Sequence, residues 1–320
     1  MRLGKLDNND LEDLVLSKFH RIRRESLLTP EIGSDCAAMD LDGDIAVLSC
    51  DPITSSSIRH LGRLSVHVSC NDAAAAGAEP VGLLVTLLAP PSAEKPDIGR
   101  IADDLAAAAK TAGVDVLGGH TEVTDAVTRF VTNTTVLARI PKDGMLPGLQ
   151  AGNDLVMTKS AALEGCAIIA EDFPDVFRSL PEEIRSEALS YAELLSVVPE
   201  GLYAARHGAT AMHDITEGGV YGAAWEMGHN AGIGITLDPE RIPVFPAVRK
   251  ICEAAGLDPY RLISSGSMLI ACPDGPGMVE GLKGIGVSAS VIGKAGGDAL
   301  RLPDGTEIDP PGADELYRLF

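Results

Sequence analysis

Short apolar segments of strand length follow one another along this chain, with helical segments between only some of them, and this irregular order most limits its fold. Because strands and helices do not strictly alternate, the sequence predicts an α+β fold rather than a doubly wound parallel sheet. We expect Asp51-Pro52 to end the first long strand and Gly118-Gly119 to break the third. In the first half, the predicted strands are residues 45–50, 81–89, 114–117 and 130–140, and the predicted helices are residues 11–19, 61–76 and 100–112.

A stretch with three glycines and two prolines, residues 141–153, interrupts this pattern. A length of 320 residues fits two domains of about 150 residues each. We therefore predict an N-terminal domain over residues 1–145 and a C-terminal α+β domain over residues 146–320. In the second domain, the predicted strands are residues 154–159, 209–213, 233–237, 268–272 and 288–292 with a hairpin at 304–305, and the predicted helices are residues 165–171, 181–197, 201–207 and 220–230.

The chain is strongly acidic, with 26 Lys and Arg against 46 Asp and Glu and a formal net charge of −20. This charge repels phosphate backbones and anionic lipid headgroups, so we expect no nucleic-acid partner and no membrane partner. The longest nearly apolar run, residues 81–89, is far shorter than the roughly 20 residues that span a bilayer. Because the first ten residues carry no apolar signal segment, we expect a cytoplasmic protein.

Familiar chemical signatures are absent from the sequence. It contains no GxxxxGK[ST] loop, no complete GxGxxG between a strand and a helix, and no GxSxG or HExxH motif. The six cysteines never form a CxxC pair, so we expect them to be reduced, buried and not essential. If the protein binds a phosphate, residues outside these motifs must bind it.

Three aspartates of the first half stand where apolar segments end or are interrupted. Asp35 follows a Gly-Ser pair, Asp51 follows the first long strand, and Asp72 lies four residues after Val68 on the apolar stripe of a predicted helix. An ionised carboxylate on such a stripe costs several kcal/mol unless it is paired or binds a cation. The three could share Mg²⁺ with waters and phosphates. Two alternatives stay open: a rotated helix would leave Asp72 solvated, and Asp35 and Asp51 fit ordinary turn and strand-end positions.

Two glycine pairs have polar neighbours that suit catalysis or anion binding. His120 follows Gly118-Gly119 and could be a general base, a metal ligand or a phosphate contact, or only a hydrogen-bonding loop residue. Asp214 and Glu217 precede Gly218-Gly219 at the start of a predicted helix, whose N-terminus favours a phosphate. The acidic side chains would then face a metal or the substrate.

Five motifs, read in order, resemble the aminoimidazole ribonucleotide synthetase (PurM-like) superfamily. They are IGSDCAAMD (residues 32–40), LSCDPIT (48–54), VSCNDAAAAGAEP (68–80), GGHTEVT (118–124) and HDITEGGV (213–220). The resemblance extends over residues 5–320, and second-half stretches such as residues 158–172 and 218–235 are most similar to the branch of the hydrogenase-maturation protein HypE.

The resemblance implies a two-domain PurM/HypE-like architecture: an N-terminal sheet domain that pairs with a second subunit, and a C-terminal α+β domain that closes a cleft for ATP and Mg²⁺. It also implies ATP-driven activation of an amide or similar oxygen, with magnesium neutralising charge during phosphoryl transfer. The expected partners are ATP, an unidentified small-molecule or protein-bound substrate, and a second copy of the chain. Under this resemblance, the catalytic candidates are His120, Asp214 and Glu217; the cofactor-binding candidates are Asp35, Asp51, Asn71, Asp72, Gly118, Gly119, Thr121, Gly218 and Gly219; and the metal candidates are Asp35, Asp51, Asp72 and Glu122.

Two features depart from the family pattern and leave the substrate open. HypE-type proteins end in a cysteine that carries a carbamoyl group, whereas the last cysteine here is Cys272 and the sequence ends in residues 317–320, YRLF. His120 stands where the family usually has Asp or Glu, so Glu122 is the candidate replacement ligand. The alternatives to an ATP-dependent enzyme are a nucleotide-binding assembly factor with little turnover and a small-molecule kinase similar to thiamine-monophosphate kinase.

Overall fold

A computed structural model describes residues 26–28, 32, 36–40, 43–54 and 56–320. The predicted helix at residues 11–19 and the candidate Asp35 lie outside these residues. The strands are β1 (Ser26–Leu28), β2 (Ala37–Asp40), β3 (Ile45–Ile53), β4 (Glu79–Ala89), β5 (Asp115–Val123), β6 (Val131–Ile140), β7 (Asp154–Thr158), β8 (Ala211–Asp214), β9 (Ile235–Leu237), β10 (Met268–Cys272), β11 (Ala289–Ala295) and β12 (Leu300–Arg301). The helices are α1 (Ile58–Ala75), α2 (Lys95–Ala112), α3 (Leu163–Asp172), α4 (Glu182–Ser190), α5 (Val198–Arg206), α6 (Gly219–Ala231), α7 (Pro246–Ala255) and α8 (Gly275–Gly284), with short 3₁₀ helices at Pro174–Ser179, Tyr191–Glu193 and Glu315–Leu319.

The first sheet has the order β1-β2-β3-β6-β4-β5 and carries α1 on one face. Residues alternate along β6, so that Thr132, Thr134 and Val136 are fully buried under α1 while their neighbours are more exposed. Only β4 and β5 are parallel to each other; the other pairs are antiparallel. This mixture confirms the predicted α+β class.

Two predicted strand ends are wrong. Strand β3 continues through Asp51-Pro52 to Ile53, and β5 continues through Gly118-Gly119 to Val123. A Cβ on Gly119 would lie 1.8 Å from the carbonyl oxygen of Val85, so this glycine lets β5 lie against β4 rather than breaking the strand. The consequence is that the polar residues after the glycine pair lie on a strand, not in a loop.

The strand predicted at residues 130–140 is not an edge. It is β6, which pairs with β3 on one side and with β4 on the other. Among the strands that the structure describes, β5 pairs with β4 alone and lies at the edge of this sheet. Every residue of β5 is exposed, including Leu117 at 59%.

The second sheet has the order β12-β9-β11-β7-β10-β8, and α1 lies between the two sheets. Val66 and Cys70 of α1 belong to one buried apolar cluster with Val136 of the first sheet and with Val156 and Met268 of the second. The predicted division between residues 145 and 146 stays a prediction, because this core is continuous across it.

Several second-half elements differ from their predictions. The helix predicted over residues 181–197 is shorter, since α4 ends at Ser190 and a single 3₁₀ turn follows. Helices α7 and α8 were not predicted; each has a proline in its first turn, a position that a helix tolerates. Strand β10 lies at its predicted bounds and is buried along its whole length.

Five of the six cysteines are buried, and none forms a disulfide. The expectation of burial is wrong for Cys50, which is exposed because it alternates with the buried Ser49 on β3 and faces away from α1. Within the described ranges, no helix has the length and apolarity that crossing a bilayer requires.

Candidate active site

One serine holds together two of the predicted aspartates. Ser49 and Asp51 lie two residues apart on β3 and therefore on the same face, and Asp72 meets them from α1. The Ser49 hydroxyl lies 3.1 Å from Oδ2 of Asp51 and in short contact with Oδ2 of Asp72. Asp72 is 7% exposed, so the alternative of a rotated helix with a solvated Asp72 is wrong. We call these three residues the Ser49 cluster.

The donor set of the Ser49 cluster suits Mg²⁺. A hydroxyl has a single proton and can donate to only one of the two carboxylates at a time. Two carboxylates, completed by waters and substrate phosphates, are the ligands that Mg²⁺ usually takes in enzymes. Within the described part of the chain, no three His, Cys, Asp or Glu side chains are grouped to hold a metal by themselves.

Glu122 does not share an ion with the Ser49 cluster within one chain, which corrects the prediction. The register runs from Asp51 on β3 through β6 and β4 to Gly119 on β5, so β5 is three strand spacings away, or about 14 Å. By the same register Glu122 and His120 point to the face opposite α1. His120 Nε2 lies 2.8 Å from Oε2 of Glu122, and both side chains are largely exposed.

The remaining candidates of β5 have different local roles. Gly119 has φ of +151° and is required by the close approach to Val85 described above, which is a structural reason for the second glycine. A Cβ on Gly118 would meet nothing nearer than 3.8 Å, so this glycine is not required by packing. Thr121 follows on the α1 side of β5, in a shallow pocket between the sheet and α2.

The Asn71 side chain joins α1 to the segment that precedes α5, and its role in cofactor binding stays a prediction. Its Nδ2 donates to the carbonyl oxygen of Leu195 at 2.8 Å, and its Oδ1 accepts from the backbone N–H of Val197 at 2.9 Å. The side chain is fully buried. Both ends of the amide are therefore engaged by the backbone of the segment that precedes α5.

The same segment is held by Lys159, a largely buried lysine that sequence reasoning missed. Its Nζ lies 2.6 Å from Oε1 of the buried Glu200 and donates to the carbonyl oxygens of Ser196 and Gly266. Lys159 has φ of +52°, a left-handed conformation that is rare for residues other than glycine. This backbone strain is compensated by the contacts of the ammonium group.

At the start of α6, the chain supplies its own anion. The backbone N–H of Gly218 donates to Oδ2 of Asp314 at 2.8 Å, so this carboxylate occupies the helix N-terminus where we expected a phosphate. Gly219 has φ of +63°, and a Cβ there would lie 2.5 Å from the carbonyl oxygen of Tyr260, so tight packing accounts for this glycine. Asp214 is only 1% exposed at the end of β8.

Glu217 is the predicted second-half residue that lines a cavity. The cavity, of about 240 Å³, lies between the β3–α1 connection, α3 and the segment that contains Asp314. Its walls include Glu164, Glu217 and Asp314, and we call it the acidic cavity. Ile53 of β3 also lines it, two residues or about 7 Å along the strand from Asp51. The fold thus places Glu217 in a cavity whose wall includes Ile53, a residue of β3 close to the Ser49 cluster.

Two carboxyl groups of the acidic cavity titrate abnormally. Burial, together with the negative charges of Asp314 and Glu217, raises the pKa of Glu164 to about 7, against the opposing effect of Ser265. Burial also raises the pKa of Asp314 to about 6, although backbone N–H groups stabilise its charged form. Sequence reasoning missed both residues; the available signal was a glutamate inside the apolar run of residues 161–170.

Comparison with known proteins agrees with this architecture. The family model of the AIR synthase related protein N-terminal domain matches residues 33–140, and that of the C-terminal domain matches residues 150–302. The chain belongs to the AIR synthase related protein family. The carbamoyl dehydratase HypE of Cupriavidus necator is 32% identical over 250 residues, which are 73% of this chain and 67% of that protein. The resemblance inferred from the motifs is therefore confirmed.

Solved structures of this family share the fold. The crystal structure of E. coli HypE, a hydrogenase maturation protein, is 25% identical with a TM-score of 0.76, covering 89% of this chain and 93% of that one. A HypE in complex with ATP has a TM-score of 0.70 at 18% identity, covering 97% and 96%. AaThiL complexed with AMPPCP and TMP has a TM-score of 0.76 at 19% identity, covering 98% of both chains. At these identities the last two show the fold alone.

Proposed function

We propose that this protein is an ATP-dependent enzyme that activates the oxygen of an amide or a similar group. The observation that carries the proposal is the Ser49 cluster, in which the carboxylates of Asp51 on β3 and Asp72 on α1 meet. It lies about 7 Å along β3 from Ile53, which lines a cavity with room for a small group. The relative from C. necator is a carbamoyl dehydratase, and a structural neighbour is a HypE bound to ATP. Both support the proposal.

In this proposal Asp51 and Asp72 hold Mg²⁺ beside the nucleotide phosphates. Asp35, which lies outside the described residues, remains a candidate ligand because of the motif resemblance alone. When bound, the ion would neutralise charge that develops on the transferred phosphoryl group. We assign Glu217 to the second substrate because it lines the acidic cavity. We assign no ligand role to Glu122, because it faces the other side of the sheet.

The identity of the second substrate is the open part of the proposal. A carbamoyl group carried on Cys272 is not part of it, because that thiol is 1% exposed within β10. We propose an amide-type oxygen on a small molecule or on another protein. A phosphotransferase acting on thiamine monophosphate and an assembly factor without turnover are the outcomes that the turnover assay below distinguishes.

Asp72→Asn tests the nucleotide site. At a ligand concentration of about 100 times Kd, Mg-ATP should stabilise the wild type by roughly 2.7 kcal/mol, measured as a thermal shift that requires both ATP and Mg²⁺. The variant keeps the shape of the side chain and should lose most of this shift, whereas Asp103→Asn, at an exposed position of α2, should keep it. A variant that melts much earlier without ligand yet retains the full shift would mean that Asp72 is a structural residue.

ADP formation tests the enzymatic part. We would measure it without a second substrate, with a carbamoylated peptide and with thiamine monophosphate. Stimulation by the carbamoylated peptide supports the proposal. Tight Mg-ATP binding without turnover under any condition indicates an assembly factor, and stimulation by thiamine monophosphate alone indicates a small-molecule kinase.

We also propose a homodimer formed through the first sheet. Among the described strands, β5 is at an edge of the first sheet, and the sheet face opposite α1 exposes apolar side chains there, among them Leu84 of β4 at 52% and Leu117 of β5 at 59%, which a second copy would cover. Light scattering at micromolar concentration should report twice 33.3 kDa. The double variant Leu84→Glu and Leu117→Glu should be monomeric, and Ile285→Glu, on an exposed apolar residue of the second half, should remain dimeric. A wild type that is monomeric contradicts this part.

We also propose that the protein is located in the cytoplasm. Cys166 and Cys252 hydrogen-bond each other as thiols in the buried core around α3 and α7. Adjacent reduced thiols are typical of proteins in a reducing compartment. Alkylation in intact cells followed by denaturation should find all six cysteines as thiols; a disulfide between these two would contradict the location.

A further inference from the structure

The acidic cavity is lined by a buried glutamate, Glu164, that has one carboxyl oxygen without a hydrogen bond among the described residues. Glu164 lies in the first turn of α3 and is 7% exposed. Its Oε2 accepts no hydrogen bond from any residue that the structure describes, although the side chain lines the cavity. A buried polar group in this state is costly unless a ligand completes it.

The surroundings of Glu164 are negative. Glu217 from the turn before α6, Asp314 from the segment after β12 and Asp172 from the end of α3 line the same cavity. Among the described residues that line it, Arg129 is the one cationic side chain, and it is exposed. The groups that stabilise the charged form of Asp314 are backbone N–H groups, which supply no positive charge of their own.

The rest of the cavity wall is apolar and firmly held. Ile168, Ile263, Leu316 and Phe320 line it together with Tyr317, whose hydroxyl donates to Oε1 of Glu217 at 3.4 Å. Two hydrogen bonds hold the C-terminal segment that carries Leu316, Tyr317 and Phe320. The backbone N–H of Gly218 donates to Asp314, and the backbone N–H of Asp258 donates to Glu315. The cavity therefore has an apolar wall beside a buried acidic end.

We propose that the acidic cavity binds a nitrogen cation with several N–H donors, an amidinium or an ammonium, attached to a small apolar body. The cation would donate to the carboxylate of Glu164 and lie within the field of Glu217 and Asp314. This inference rests on the proposed function only in taking the cavity as the place of the second substrate. The same charges oppose the binding of a phosphate group in this cavity, because an anion there would meet several carboxylates and one exposed arginine.

Three aromatic probes of similar shape test the ligand class. Benzamidinium carries a planar cation with two NH2 groups, benzamide carries one NH2 group and a carbonyl oxygen without charge, and benzoate carries a negative charge. We expect calorimetry at pH 8 to show the tightest binding for benzamidinium, weaker binding for benzamide and none for benzoate. Binding of benzoate as tight as that of benzamidinium would overturn the inference.

Glu164→Gln locates the site. This variant keeps the size of the side chain and removes its charge, and it should weaken benzamidinium binding at least about tenfold, the effect of roughly 1.4 kcal/mol from one charged hydrogen bond. Glu183→Gln, on an exposed glutamate of α4, should bind as the wild type does. Equal binding by the wild type and Glu164→Gln would overturn the inference.

A measurement on the wild type does not depend on the folding of a variant. Because Glu164 gains its charge near neutral pH, benzamidinium affinity should rise about 30-fold from pH 5.5 to pH 8. The other titratable and charged groups facing it are Asp172 on its own helix, Glu217, Asp314 and Tyr317, and Arg129. An affinity that does not change over this range would overturn the inference.

Mg-ATP is titrated separately into the same samples. Normal Mg-ATP binding with no benzamidinium binding overturns this inference alone. Benzamidinium binding that needs Glu164 in a protein that binds no Mg-ATP supports the inference and overturns the proposed function.

Discussion

Replacement of Asn71 measures how strongly one side chain joins the two halves. In Asn71→Ala, the carbonyl oxygen of Leu195 and the backbone N–H of Val197 lose their partners. Both residues are buried, at 2% and 0% exposure, so water does not readily replace the amide. At about 1–3 kcal/mol for each stranded group, the free energy of unfolding should fall by about 4 kcal/mol.

The assay is thermal and urea unfolding without nucleotide. An unfolding entropy of about 2.1 cal/mol/K per residue gives about 0.7 kcal/mol/K for 320 residues, so the Tm should fall by about 6 °C if the chain unfolds as one unit. Asn71→Asp should be at least as destabilising, since a carboxylate oxygen would face the carbonyl oxygen of Leu195. Asn133→Ala, on the opposite face of the first sheet, is the matched control and should change the Tm little.

One result would refute this reasoning. If Asn71→Ala unfolds like the wild type without ligand but loses the Mg-ATP shift, then Asn71 binds the nucleotide, as the motif resemblance implied. If the variant is destabilised and keeps the shift, its role is to hold the two halves together.

Further predictions concern pH and the glycine pair. Burial lowers the pKa of His67 to about 4, so the unfolded chain takes up this proton first as the pH falls. Between pH 6.5 and pH 4, the free energy of unfolding of the wild type should therefore fall by about 3 kcal/mol relative to that of His67→Gln. The pH dependence from Glu164 has the opposite sign, because its raised pKa means that the folded state holds the proton to higher pH. As the pH rises from 4.5 to 7, the free energy of unfolding of the wild type should fall by about 3 kcal/mol relative to that of Glu164→Gln. Urea titrations at each pH measure both, and a pH-independent difference contradicts either. Gly119→Ala should cost more than about 2 kcal/mol because of the carbonyl oxygen of Val85, whereas Gly118→Ala should cost less than about 0.5 kcal/mol; equal stabilities would contradict the packing argument.

The sequence by itself determined the fold class, most strands and the family. Apolar periodicity is a local property, so β4, β6, β7 and β10 could be predicted from their own residues. The placement of Asp72 on a buried stripe was also a local inference, and its burial in the structure confirms it. The five motifs identified the family because they keep their order and spacing along the chain.

Tertiary structure decided which of the candidate residues meet. Sequence order gives no information on strand order, and only the arrangement β3-β6-β4-β5 separates Glu122 from Asp51 while Ser49 joins Asp51 to Asp72. The acidic cavity is formed by residues more than 100 positions apart in the sequence, such as Ile53 and Glu164. Its unusual pKa values arise from burial and from neighbouring charges, and both exist only after the chain has folded.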